Sequence, residues 1–345
     1  MNQFMQSLPH GITLSCRSAG EKGRPVLIFL HGFPEAAFVW DDLLTHFAKA
    51  ENGGYRCVAP NLRGFENSSA PPEVAAYRPK HLVQDIAALI AIECNAQPQR
   101  RAAPSQASSL IEEKEQEITQ SQKQGGSQLH GLIAHDWGGA VAWNLAASQP
   151  QLIKKLAIIN SPHPGTFLRE LQHSPAQQAA SAYMNFLIRP DAEALLAEDD
   201  FRRLFEFFMP FSTFKGADGK TSGPRVAPTW LTENVRDQYR KVWQNGLTGP
   251  LNFYRASPLR PPRLGAPHND PAAANVVIPP ALLGVLVPTL VLWGMGDIAL
   301  PPALLDGLAD FVPHMQLEKI DGATHWIVHE RRELVIRHLQ SFLSA

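Results

Sequence analysis

The chain has 345 residues, enough for one large domain or for a domain carrying an inserted second one. A hydrophobic share of 44% supports a full globular core, while a net charge of −1 and a pI near 6.9 remove any bulk electrostatic case for a nucleic-acid partner. Three cysteines without metal-type spacing, no positively charged apolar leader and no run near the ~18 apolar residues of a membrane span leave a soluble cytoplasmic protein as the default expectation.

In chain order, residues 4–7 and 12–17 flank Pro9-His10-Gly11 and predict an opening hairpin. Residues 26–30 form a wholly apolar run that ends at His31-Gly32, and residues 56–59 form a second run followed by Pro60. Over 80–94 the spacing of Leu82, Ile86, Leu89, Ile90 and Glu93 predicts a helix with one face turned inward. Strands are predicted at 130–134, 156–159, 289–293 and 316–320, and a terminal helix at 334–343. Short apolar runs alternating with helical spacing argue for a mostly parallel α/β sheet.

Two stretches break this rhythm. Residues 95–128 are rich in Gln, Ser, Glu and Lys, and Ser109 and Glu112 have the spacing of a capping box. They predict a surface insertion without chemistry. Residues 257–288 are dense in proline and predict an extended connector. Between them, residues 162–255 are helical in pattern and rich in aromatics, and interrupt the strand series. The simplest account is a helical cap over the carboxyl ends of the strands, where α/β sheets keep their sites. The expected division is therefore a core of 1–160 and 285–345 with the 95–128 insertion, and a cap plus connector over 161–284.

The most informative stretch is Ala134-His135-Asp136-Trp137-Gly138-Gly139, which follows an apolar run and opens an apolar-periodic segment. A strand-to-helix turn this tight needs small residues two before and two after its apex, and Ala134 and Gly138 meet that need. The apex residue selects the chemistry. A serine alkoxide attacks carbonyl carbon. A carboxylate is poor at that but displaces a leaving group from an alkyl carbon. Asp136 therefore points to epoxides or alkyl halides.

The ordered set His31-Gly32-Phe33-Pro34-Glu35, His135-Asp136-Trp137-Gly138-Gly139, Trp293-Gly294-Met295-Gly296-Asp297 and Gly322-Ala323-Thr324-His325-Trp326 resembles the epoxide hydrolases of the α/β-hydrolase fold. Inside the cap, Tyr183 stands seven residues before Pro190, and Leu251-Asn252-Phe253-Tyr254-Arg255 completes the set. The resemblance implies an eight-stranded, mostly parallel sheet with an inserted helical cap. It also implies Asp136 as nucleophile, His325 as base, Asp297 as the acid orienting it, and the N–H groups of Phe33 and Trp137 as the oxyanion hole. Tyr183 and Tyr254 would donate to the epoxide oxygen, since a phenol near pKa 10 is a rigid donor. The alternative place for the acid, after the strand that follows the nucleophile's helix, offers Asn160, which carries no charge to stabilise an imidazolium.

His31 is expected to be structural at the oxyanion loop, Glu35 structural, and His135 either a neighbour that supports the site or a bystander. Eight other histidines, His329 among them, are expected at the surface or in the core. Asn61 stands where the family carries an aspartate, which leaves the bracing of the loop at 61–68 open. Expected partners are a small hydrophobic epoxide and water, with no metal and no organic cofactor. Oligomeric state is open between monomer and homodimer. The rival chemistry is a haloalkane or haloacetate dehalogenase using the same Asp136–His325–Asp297 core. The rival of another kind is a catalytically idle scaffold that binds a small ligand or a protein.

Overall fold

The computed structural model describes residues 1–94, 128–209, 227–263 and 272–345. Residues 95–127 of the expected insertion lie outside the described residues, as does 264–271 of the proline-rich connector.

Eight strands form one sheet: β1 (Asn2–Ser7), β2 (Thr13–Ala19), β3 (Val26–Leu30), β4 (Arg56–Pro60), β5 (Gly131–His135), β6 (Leu156–Ile159), β7 (Thr289–Gly294) and β8 (Met315–Ile320). Their order is β1-β2-β4-β3-β5-β6-β7-β8. β1 and β2 pair antiparallel, β2 pairs antiparallel with β4, and every other neighbouring pair is parallel. The wholly apolar runs at β3, β5 and β6 are buried along their whole length, as strands covered by helices on both faces must be.

The core helices are α1 (Asp41–Ala48), α2 (Pro79–Glu93), α3 (Asp136–Ser148) and, at the end of the chain, α10 (Ile327–Glu330) and α11 (Arg332–Ser344). On α2 the apolar positions Leu82, Ile86, Leu89 and Ile90 are buried as their spacing requires. Glu93 joins that face by pairing with the equally buried Arg56, at 3.1 Å. The sequence reading missed α1, whose eight residues are shorter than the window over which helical spacing becomes legible.

Among the described residues, six helices lie between β6 and β7: α4 (Pro164–His173), α5 (Pro175–Ala180), α6 (Tyr183–Leu187), α7 (Ala192–Phe207, broken by non-helical backbone at Glu198, Asp199, Asp200 and Phe201), α8 (Glu233–Gln244) and α9 (Thr248–Ala256). They pack onto the loops at the carboxyl ends of the strands. Trp243 Nε1 donates to the Pro34 carbonyl at 2.7 Å, and Trp326 Nε1 donates to the Phe207 carbonyl at 3.0 Å. No helix among the described residues is long and apolar enough to cross a membrane.

The connections place the site. From β3 the chain crosses to β4 on one side, and its next strand, β5, lies on the other. The loops after β3 and β5 therefore diverge and leave a crevice at the carboxyl edge, the usual ligand position in such sheets. His31 to Glu35 lie on one side of it and Asp136 on the other.

Candidate active site

Asp136 begins α3 with φ +49°, in the left-handed region that side chains rarely adopt. This holds the carboxylate out at the turn. The space around it is tight. A Cβ on Gly138 would lie 2.5 Å from the Leu30 carbonyl oxygen, and one on Gly139 would lie 2.3 Å from Ser161 Cβ. A Cβ on Gly32 would lie 2.3 Å from the Asp136 side chain itself, so that glycine is what lets the loop after β3 approach. Ser161, at the end of β6, donates its hydroxyl to the Asp136 carbonyl at 2.6 Å.

Phe33 N–H donates to Asp136 Oδ1 at 2.7 Å. Trp137 is the second residue of α3, so its N–H is among the four that a helix start leaves without an intrahelical acceptor. The Phe33–Pro34 bond is cis. His31 lies behind this loop, fully buried. Its Nδ1 donates to the Gly32 carbonyl at 2.9 Å, and its Nε2 accepts from Leu62 N at 3.0 Å. Burial pushes its pKa down to about 4, so it is a neutral strut. Asn61 braces the neighbouring loop: its Oδ1 accepts from Ala37 N at 2.7 Å, and its Nδ2 donates to Ser15 Oγ at 3.2 Å and to Glu66.

His325 follows β8 and Asp297 follows β7, and the sheet brings them together. His325 Nδ1 is 2.7 Å from Asp297 Oδ2, while its Nε2 is 3.7 Å from Asp136 Oδ2. The Asp136 side chain keeps 15% exposure and Asp297 none, so one carboxylate can meet a ligand and the other cannot. Asp297 Oδ1 accepts the N–H groups of Ala299 and Leu300, both at 2.9 Å. Burial pulls the His325 pKa down, but Asp297, Asp136 and Glu35 together raise it to about 9.

Asn160 is the residue whose part the sequence reading missed. It has φ +39° at the end of β6. Its Nδ2 donates to Asp297 Oδ2 at 2.8 Å and its Oδ1 accepts from Gly294 N at 2.9 Å. It thus fixes the same carboxylate oxygen that faces His325. Its position at a strand end was a signal, but it was weighed only as a missing charge.

Glu35 is structural in a stronger sense than expected. It is fully buried, 2.6 Å from His329 Nε2 and 3.1 Å from His135 Nδ1, and accepts the Tyr239 hydroxyl at 3.1 Å. Burial would push its carboxyl up, yet His329 and His135 hold it far below the usual carboxylate range. His135 Nε2 is 2.9 Å from the His325 carbonyl, so this cluster also holds the backbone of the candidate base. His329 is therefore a buried partner of Glu35, which nothing in its local sequence signals.

Tyr183 on α6 and Tyr254 on α9 line the same cleft as Asp136. Their rings lie edge-on to each other with centroids 6.2 Å apart. Tyr254 also packs edge-on against Trp137, ring centroids 5.1 Å apart. Burial, followed for Tyr254 by Tyr183 and for both by the Asp136 charge, pushes both phenols well above their ordinary pKa. Both are therefore proton donors throughout the physiological range.

A family model described as alpha/beta hydrolase fold matches residues 25–331. The chain is 30% identical to the AB hydrolase superfamily protein YfhM of Bacillus subtilis (strain 168), over 99% of this chain and 97% of that protein. It is 28% identical to Epoxide hydrolase 4 of Mus musculus, over 96% of this chain and 77% of that protein. Among solved structures it superposes on one described as novel epoxide hydrolases from metagenomes of hot environments. The TM-score is 0.75 and the identity 31%, covering 99% of this chain and 98% of that one. The epoxide hydrolase of Bacillus megaterium in complex with an inhibitor follows at TM-score 0.73 and 25% identity, covering 99% of this chain and 100% of that one.

Proposed function

This chain belongs to the α/β-hydrolase fold family and is a hydrolase of the epoxide-hydrolase type; we propose that it opens its epoxide through a covalent ester on Asp136. The Asp136 oxygen that faces His325, Oδ2, attacks a ring carbon, and the carbon–oxygen bond of the ring breaks. Tyr183 and Tyr254 donate hydrogen bonds to the departing oxygen, which takes the proton of one phenol; that phenol is restored by the proton that His325, a cation until the Asp136 charge is lost, then gives up. The other oxygen, Oδ1, already on Phe33 N–H, becomes the ester carbonyl oxygen. Water then gives a proton to His325 and adds to that carbonyl carbon. The Phe33 and Trp137 N–H groups hold the resulting oxyanion, and Asp297 steadies the imidazolium. Collapse returns the carboxylate and releases a vicinal diol. The six helices between β6 and β7, taken as the cap, carry both phenols and exclude water.

The observation that carries this reading is one cleft holding a carboxylate at the elbow and two protonated phenols opposite it. A halide leaving group has no use for phenols and needs N–H donors instead. The Trp137 indole, the nearest candidate for that work, lies edge-on against the Tyr254 ring. The test is to treat His325→Gln protein with 1,2-epoxybutane and weigh it. Retention of the full mass of the epoxide on Asp136, alongside diol release by the unaltered protein, supports the reading. Halide release from chloroalkanes without diol formation from epoxides refutes it.

A further inference from the structure

The cleft runs from Asp136 along α3, with Pro162, Phe167, Met184 and Leu300 also in its lining, and this bears on the substrate. Its floor is one face of α3. Asp136, Trp137, Ala140, Val141 and Asn144 all line it, which is the i, i+1, i+4, i+5, i+8 pattern of a single helical face. The eight helical steps from Asp136 to Asn144 cover about 12 Å along the helix axis, room for an extended chain of roughly nine carbons. Leu82, from α2, lies across from this floor, together with Leu259 beyond α9.

Beside the loop after β3 the aromatic rings pack closely. The Phe33 ring is edge-on to Phe207 at 5.9 Å and to Tyr254 at 5.2 Å, and Phe207 also packs on Tyr183 at 5.8 Å. Neither Phe33 nor Phe207 lines the cleft. Among the described residues that do line it there is no lysine or arginine to hold an anionic end.

We propose that the arm over Ala140 and Val141, ending at Asn144, is a subsite for a single linear, uncharged alkyl chain, so that the substrates are terminal epoxides of about eight to eleven carbons. The proposal rests on the epoxide chemistry given above and adds the substrate class to it. Ala140 is the specificity-determining position, because its methyl group is what leaves the floor open one turn from the nucleophile. Internal epoxides, which carry a chain on each ring carbon, would drive one chain into the Phe33–Phe207 pair.

Two measurements separate the arm from the chemistry. The first is kcat/KM for 1,2-epoxyalkanes from four to fourteen carbons, with 5,6-epoxydecane and a ten-carbon terminal epoxide ending in a carboxylate beside them. Each buried methylene should raise kcat/KM by up to about fourfold until the arm is full. 1,2-Epoxydecane should exceed both ten-carbon comparators by at least tenfold. The second is calorimetric affinity for 1,2-alkanediols of the same lengths, which reads the arm without any turnover. Ala140→Leu should lower the ratio of decyl to butyl affinity at least tenfold, and Asn144→Leu, at a half-exposed position, should extend the length optimum. Diol affinity that climbs with length in a protein that turns over no epoxide supports the arm and overturns the chemistry. Turnover with no dependence on length, or preference for the internal epoxide, overturns the arm and leaves the chemistry standing.

Discussion

The proposed mechanism asks His325 to be a cation when Asp136 attacks and a neutral base one step later. The structure contains a cause for that change. Asp136 Oδ2 stands 3.7 Å from His325 Nε2, and the ester formed on Asp136 carries no charge. A unit charge at about 4 Å, at an effective dielectric of about 20, is worth about 4 kcal/mol. Converted at about 1.4 kcal/mol per tenfold, its loss lowers the proton affinity of the imidazole by roughly a thousandfold. Asp136→Asn removes the same charge while keeping the shape. The assay is a nitrogen-15 NMR titration of His325 in both proteins, with intact mass confirming that the amide persists. The unaltered protein should titrate near the value of about 9 that Asp297 and Asp136 impose. The variant should titrate far lower, leaving His325 neutral at pH 8. Because the folded value lies above the ordinary one of 6.5, the stability that this ion pairing contributes is complete below about 6.5. It is lost as pH rises through about 9. A midpoint in Asp136→Asn within threefold of the unaltered protein would refute the charge-switch argument.

Other expectations follow from single contacts. Tyr183→Phe and Tyr254→Phe should each slow ester formation in stopped-flow single turnovers by about a hundredfold, the usual loss for one donor to a developing oxyanion, while ester hydrolysis changes little. Glu35→Gln leaves His135 and His329 facing an uncharged amide. It should lower unfolding free energy in urea by about 3 kcal/mol, the cost of breaking a buried pair, and a loss under about 1 kcal/mol would contradict the cluster's role. Asp297→Asn should slow ester hydrolysis by about ten-thousandfold. Because Asn160 reaches the same oxygen as His325, adding Asn160→Asp should recover at least tenfold, measured as the decay rate of the alkyl-enzyme.

How legible these features were in sequence depends on the range over which their causes act. β3 and β6 were readable to the residue, because a strand buried on both faces must be apolar throughout. The turn at Asp136 was readable because crowding by Leu30 and Ser161 requires glycine on the helix side. Tyr183 and Tyr254 were found through the motif order alone, since a tyrosine in a helix carries no local mark of the cavity it faces. What stayed hidden is long-range pairing. Glu35 and His329 are 294 residues apart, and their 2.6 Å contact exists only because the loop after β3 and helix α10 meet at one corner of the sheet. Asn160 was visible but misjudged. Its lack of charge was weighed, and its capacity to donate and accept at once, to Asp297 and from Gly294, was not.

The most direct test of the account is a single turnover with excess enzyme in oxygen-18 water, with the diol analysed by mass spectrometry. If Asp136 bonds to the substrate, the first diol carries an ordinary oxygen from that side chain, and the label appears in the carboxylate of the peptide containing residue 136. Oxygen-18 in the first diol, with an unlabelled Asp136, would mean that water attacks the epoxide directly and that no ester forms.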